Sequence, residues 1–300
     1  MHLMFLGTAA AEGYPDPFCA CDNCEASRAE GGPALRMRSS ALINDELIID
    51  FGPDLLSAAM RFGLRLTNIP YALQTHPHGD HLADLTLFAR NNICQLKDIV
   101  VADFVATNAT IARMDEITGI AKKGRSFTEE EVQLQHNFRI TVVQPWDATQ
   151  IGPYRIQTVR ANHDLPNESM LFAIEDTRDG SRLFYGTDTS SLPAETWPRL
   201  AELGWTFDTF ILDHTFAYAP RNGGHLNLEQ FLEEVAGARE HGLINDETDI
   251  YATHLAHHSN PHHSEMVRRA AENGYKVAHD GLIVDTNHTE KEATSGAYLG

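Results

Sequence analysis

Short apolar runs, rather than long amphipathic repeats, punctuate the chain. They fall at 47–51, 71–75, 99–104, 139–143, 154–159, 170–175, 183–185, 210–213, 250–253 and 282–285. Runs of this length, rich in Val, Ile, Leu, Phe and Tyr, predict strands, many of them buried on one or both faces. Helical patterns lie between them. Asp54, after Gly52-Pro53, is placed to cap a helix running to about Phe62, and Asp80 or His81 opens another that reaches about Asn91. Asn227, with Gln230 three residues on, reads as a capping box ahead of Phe231, Val235 and Ala236; Ser264 precedes a helix ending near Asn273-Gly274. Strands with helices distributed through both halves predict an α/β or α+β class with two layers of sheet. With no internal repeat and no low-complexity linker, residues 1–300 read as one domain, and the polar stretch from about 287 as a frayed tail.

Composition narrows the function classes. The 300 residues are 42% hydrophobic and 22% charged, a globular balance with enough chain for a sizeable core. No apolar run approaches the roughly 18 residues of a membrane span. The opening MHLMFLGTAA lacks the basic and apolar regions of a secretory signal, so a cytoplasmic location is expected. Lys plus Arg number 23 against 42 Asp plus Glu, a net charge of −19. That charge repels phosphate backbones and disfavours nucleic acid as a partner. Sixteen histidines are the oddity.

The sharpest signal is Thr75-His76-Pro77-His78-Gly79-Asp80-His81, directly after an apolar run. Histidines at i and i+2 leaving a strand can face one metal, because side chains alternate with period two. Asp80 and His81, at the turn beyond, then serve a second. Imidazole and carboxylate suit Zn²⁺, Mn²⁺ or Fe²⁺. Cys19, Cys21 and Cys24 form a C-x-C-x2-C loop, three soft ligands that need a fourth for tetrahedral zinc. His257, three residues after His254, is the candidate; the alternative is three reduced thiols. Cys94 reads as core, and Arg36 and Arg38 as surface charge. His258, His262 and His263 read as a solvated polar loop.

The segment around His76 resembles the His-x-His-x-Asp-His signature of the metallo-β-lactamase superfamily. The resemblance implies a single αββα four-layer sandwich and three further ligands, each at a strand end. His163 after 154–160, Asp188 after 183–185 and His254 after 250–252 match in order. Carried over by position, His76, His78 and His163 hold one divalent ion. Asp80, His81 and His254 hold the second, and Asp188 bridges them. The cysteine loop, Asp213-His214-Thr215-Phe216, Gly224-His225-Leu226 and His279-Asp280-Gly281-Leu282 resemble the branch that includes the phosphoribosyl cyclic phosphate phosphodiesterase. In that branch Cys19, Cys21, Cys24 and His257 correspond to the ligands of a structural zinc.

The implied activity is hydrolysis of a small cyclic or diester phosphate by a hydroxide shared between two ions about 3.5–4 Å apart. Asp80 and His225 are the implied catalytic side chains, with His225 protonating the leaving oxygen and His214 its rival. Dimerisation is common in this family, so a homodimer is compatible with the resemblance. Two other readings keep the fold: a tRNA 3′-processing endonuclease, opposed by the net charge and the lack of a basic arm, and a non-hydrolytic protein similar to pyrroloquinoline-quinone biosynthesis protein B, opposed by all seven ligand positions being filled.

Overall fold

The apolar runs pair into two sheets. The computed structural model describes residues 1–164, 168–221, 223–286 and 289–293. The first six strands share one sheet: β1 (His2–Gly7), β2 (Ser40–Ile43), β3 (Leu47–Ile49), β4 (Tyr71–Leu73), β5 (Ala102–Ala106) and β6 (Phe138–Val142). The next seven form the other: β7 (Ala148–Ile151), β8 (Tyr154–Arg160), β9 (Met170–Asp176), β10 (Arg182–Gly186), β11 (Thr209–Asp213), β12 (Asp249–Thr253) and β13 (Lys276–Val277). Then β14 (Leu282–Asp285) and β15 (Glu290–Glu292) return to the first sheet. The orders are β15-β14-β1-β2-β3-β4-β5-β6 and β13-β12-β11-β10-β9-β8-β7. Parallel pairing runs from β3 to β6 and from β10 to β13, with antiparallel pairs elsewhere.

Side-chain alternation sets the layers. In β1, Leu3 and Phe5 point between the sheets while Met4 and Leu6 point outward. In β9, Met170, Phe172 and Ile174 face the inner layer and Leu171 and Ala173 the outer one. Sheets apolar on both faces must be covered on both. The helices are α1 (Asp22–Glu30), α2 (Leu55–Arg61), α3 (Asp84–Ala89), α4 (Asn108–Ile117), α5 (Glu130–Gln135), α6 (Thr196–Ala201), α7 (Leu228–Glu240) and α8 (His263–Glu272). Leu55, Leu87, Met114 and Val132 bring α2 to α5 onto the first sheet. Trp197, Phe231 and Met266 bring α6, α7 and α8 onto the second. The result is the αββα sandwich. No helix among the described residues is long and apolar enough to cross a membrane.

The capping box of α7 forms as read: Asn227 Oδ1 accepts from Gln230 N at 2.9 Å, and Gln230 Oε1 from Asn227 N at 3.2 Å. Several local expectations need correction. The helix expected from Asp80 or His81 starts only at Asp84, because His81 N and Leu82 N both donate to His78 O and close a turn. Asp54 does not cap α2 with its side chain; its carboxylate accepts from Arg38 N and Nε. Ser264 lies inside α8, whose N-cap is His262. The run at 99–104 becomes a strand only from Ala102, since Val100 N turns aside to Thr67 O.

The edge strands β7 and β15 and the short β2 and β13 escaped the sequence reading; β15 is wholly charged and β7 is half polar, so they carry little hydrophobic signal. Pairing of β15 with β14 also revises the frayed tail, of which 287–288 and 294–300 lie outside the described residues. Cys94 is exposed on a short 3-10 turn rather than in the core. Arg36 is buried, not on the surface: its guanidinium donates to Thr8 Oγ1 and Ala278 O and meets His263 Nδ1 at 2.8 Å. His263 thus packs against Arg36, whereas His262, which meets Glu30 Oε2 at 2.7 Å, stays partly exposed and His258 is exposed, as a polar loop would be.

Candidate metal centre

Loops leaving the C-terminal ends of β3, β4, β8, β10, β11 and β12 converge at one edge of the sandwich. Parallel strands in each sheet bring such loops to the same side. They deliver Asp50, the 76–81 segment, His163, Asp188, Asp213 and His254. Three of these, Asp50, Asp188 and His254, hold left-handed backbone with φ of 70°, 54° and 59°. Non-glycine residues avoid that region unless their surroundings enforce it, and such strain clusters at functional sites. Gly52 permits the crossing of two of the loops: a Cβ there would lie 2.4 Å from Asp80 O.

The seven expected ligands are brought together in two sets. Potential ligand atoms of His76, His78 and His163 lie within 4.8 Å of one another, as do those of Asp80, His81, Asp188 and His254. Asp188 faces both. Its Oδ2 is 2.8 Å from His81 Nε2 and 3.3 Å from His254 Nε2, and its Oδ1 is 3.8 Å from His163 Nε2. Across the first set, His163 Nε2 is 3.1 Å from His78 Nδ1. Asp80 Oδ2 reaches His81 Nε2 at 3.3 Å.

The buried His76 Nε2 has no hydrogen-bond partner, and the buried Asp188 Oδ2 is met by the ring nitrogens of His81 and His254. An unpaired imidazole nitrogen in a cluster of imidazoles around a shared carboxylate is a donor arrangement that a divalent cation satisfies. The donor set fits such a cation.

A surrounding layer fixes each ring, and most of it was not read from the sequence. His81 Nδ1 meets Asp50 Oδ2 at 2.7 Å, His254 Nδ1 meets Thr215 Oγ1 at 2.8 Å, and His163 Nδ1 meets Gly224 O at 2.8 Å. His78 is turned the other way, with Nε2 2.8 Å from Asp164 Oδ2, leaving Nδ1 for the centre. Partners on the outer nitrogen set which nitrogen remains for a metal. Gln74, fully buried, donates to Asp50, His76 O and His81 O and so fixes the turn. Burial opposes the His81 imidazolium, yet Asp188, Asp80 and Asp50 hold its pKa well above the usual value. Burial likewise opposes the Asp188 carboxylate, which His254 and His81 keep well below the usual range. His76 is held neutral by burial and by the charge at His81.

His225 joins this centre and His214 does not. The His225 ring stacks on His254 at 5.3 Å and lies 4.8 Å from His163. Its Nδ1 is 2.7 Å from Asp213 Oδ2, a buried carboxylate that also accepts from Thr215 N at 2.9 Å. Burial disfavours the charged ring, but Asp213, then Asp188 and Asp80, raise its pKa to about 9. His214 is enclosed elsewhere, between Asn260 Oδ1 at 3.1 Å and Tyr275 OH at 3.0 Å, and burial lowers its pKa to about 4. Asp213 is a functional residue that sequence reasoning misses. A carboxylate two residues from a polar turn carries no mark of what it will orient.

The cysteines and His257 also come together, with Sγ and ring nitrogen atoms within 4.8 Å of one another. The segment is not wholly a loop: Cys21 is the N-cap of α1 and Cys24 is buried within it. Burial opposes the Cys21 thiolate, but Cys24 N–H, His257 and Cys19 bring its pKa to about 6, while burial pushes Cys24 up to about 12. Asp16 Oδ2 lies 3.5 Å from His257 Nε2, leaving Nδ1 toward Cys21 Sγ at 3.6 Å. Three sulfurs and one imidazole are a zinc donor set.

Comparison with known proteins gives a consistent picture. A family model described as beta-lactamase superfamily domain matches residues 46–245. Coenzyme PQQ synthesis protein B of Methylobacillus flagellatus is 24% identical over 239 residues, covering 72% of this chain and 74% of that one. A crystal structure of a diphosphatase from the PhnP family superposes with a TM-score of 0.70 at 21% identity, covering 97% of both chains. Zinc-bound PqqB from Methylobacterium extorquens gives 0.69 at 19% identity, covering 95% of this chain and all of that one, 100%.

Proposed function

The chain belongs to the beta-lactamase superfamily, and from that membership we propose that it is a metal-dependent hydrolase of small cyclic or diester phosphates. The supporting observation is the buried Asp188, one oxygen toward each ligand set, with the Asp213–His225 pair beside it. In this reading His76, His78 and His163 would hold one divalent ion and Asp80, His81 and His254 another, with Asp188 between the two sets. Metal so held would supply a polarised water and offset negative charge on the phosphoryl oxygens.

The chain's own groups do the rest. Asp50, Thr215 and Gly224 O lock three ligand rings, so little reorganisation accompanies reaction. Asp213 accepts a hydrogen bond from His225 Nδ1–H and stabilises the charged ring, leaving Nε2–H to be given to the departing oxygen. A pKa near 9 keeps that proton in place at neutral pH. His214, with both ring nitrogens occupied, is orienting structure.

The similarity to the PhnP-family diphosphatase supports phosphate chemistry, whereas the sequence match to coenzyme PQQ synthesis protein B favours a second, non-hydrolytic reading. Turnover of bis-p-nitrophenyl phosphate separates them. The hydrolase reading expects turnover that chelator abolishes and Zn²⁺ or Mn²⁺ restores. No turnover of this or a small cyclic phosphate by fully metallated protein would reject it.

A further inference from the structure

Away from the His and Asp cluster, the outer face of the first sheet is not fully filled by its helices. A pocket of about 170 Å³ remains, with Ile48, Phe51, Leu55, Leu66, Leu96 and Ile99 among its walls. Leu55 comes from α2, and Leu96 and Ile99 from the irregular segment that follows α3. Leu96 and Ile99 keep part of their surface, so the pocket opens to solvent between them. Thr86 Oγ1, also in the lining, is already engaged with Gly52 O at 2.8 Å. Among the described residues that line this space, only Arg90 is charged.

Arg90 is held in place but its charge is not balanced. Both hydrogen bonds of its side chain leave from Nη2, to Val100 O at 2.9 Å and Asn137 O at 3.0 Å. The guanidinium carbon lies 5.0 Å from the centroid of the Phe138 ring, which offsets part of the charge. The buried Nε has no hydrogen-bond partner. Arg90 is only 7% exposed, and among the described residues no Asp or Glu forms an ion pair with it. Burial lowers its pKa to about 10, with no acid acting to raise it. Arg36, equally buried, differs in having the Asp280 carboxylate close enough to support its charge. A buried cation without a counter-ion is costly, and an anion that reaches it removes much of that cost. An apolar hollow with one such group in its wall is built like a small-molecule site.

We infer that this pocket binds a small monocarboxylate whose apolar body is about the size of benzene, with the carboxylate on the Arg90 guanidinium and the body against Phe51, Leu55 and Leu66. An apolar cavity of about 150 Å³ accepts benzene, so the space here suits a ring or branched chain of that bulk. Arg is the side chain that matches a planar carboxylate in shape as well as charge. The pocket adjoins the metal centre without sharing a residue with it. Phe51 follows Asp50, which holds His81 Nδ1 at 2.7 Å, so an occupant packs against the segment that orients one ligand ring.

Benzoate and its neutral isostere benzamide, each titrated calorimetrically into the metal-loaded protein, test this independently of any turnover. The wild type is expected to bind benzoate about tenfold more tightly than benzamide, as a charge-assisted hydrogen bond provides. Arg90→Met should weaken benzoate by about tenfold and benzamide by less than about twofold. Ala89→Phe, which fills the pocket from α3 and leaves Arg90 in place, should abolish binding of both with metal content unchanged. If Arg90→Met does not fold, the wild-type ratio and Ala89→Phe decide the matter. Equal affinities for the two probes in the wild type, no benzoate binding at about 10 mM, or a preference for benzoate that survives Arg90→Met would overturn the inference. So would benzoate binding that survives Ala89→Phe, since the carboxylate would then sit on the metals.

Discussion

A carboxylate behind an imidazole decides what the imidazole does. His225 and His214 are both histidines near the end of β11, and the sequence placed them as rivals. Their buried partners separate them: Asp213 for one, Asn260 and Tyr275 for the other. Asp213→Asn keeps the shape and removes the charge. It is expected to lower phosphodiester kcat by about 10² with bound metal unchanged. Because Asp213 raises the His225 pKa, its loss should move the alkaline limb of the pH profile down by about one unit. An unchanged limb would detach Asp213 from the proton donor.

His214 gives a stability test of opposite sign. Its pKa is depressed to about 4 by burial, so its contribution is whole above about pH 6.5 and is lost as pH falls toward 4. By pH 5 the loss is roughly 2 kcal/mol. His214→Gln should remove that share of the difference between urea unfolding at pH 7 and at pH 5. Identical pH dependence in the variant would contradict it.

Elements carry the signals that sequence reading uses, and they succeed or fail for physical reasons. The clustered histidines could be read because they sit at fixed offsets from apolar runs. The α7 capping box could be read because its two partners are three residues apart. Asp50, Gln74 and Thr215 could not, because each meets its partner through tertiary contact rather than local spacing. The turn at 78–82 overrides the helical pattern because backbone bonds to His78 O serve the ligands first.

The cysteine segment was misread in part for a related reason. Cys21 caps α1 and Cys24 lies within it; the last residue of α1, Glu30, accepts from Ser264 N at 3.0 Å at the start of α8. A zinc at the cysteines would thus brace α1, and through Glu30 the start of α8. Cys21→Ser is expected to remove about one zinc per chain and lower Tm while the other ions remain. Retention of every equivalent would rule against this site.

The whole molecule explains why residues up to 178 positions apart, His76 and His254, act as one group. Two sheets pack through a shared apolar layer, and the C-terminal ends of their parallel strands meet at one edge. The burial that stabilises the sandwich also desolvates the ligands, so that their charges are held by one another. The superfamily was visible in the order of the histidines and aspartates along the chain.

The proposed function requires that Asp188 be shared by two divalent ions. Metal content of purified, zinc-loaded wild type and Asp188→Asn, measured by plasma mass spectrometry, tests this most directly. The account predicts about three ions per chain in the wild type and about one, held by the cysteines, in the variant. A wild type with no more than one ion, or a variant that keeps all of them, would contradict it.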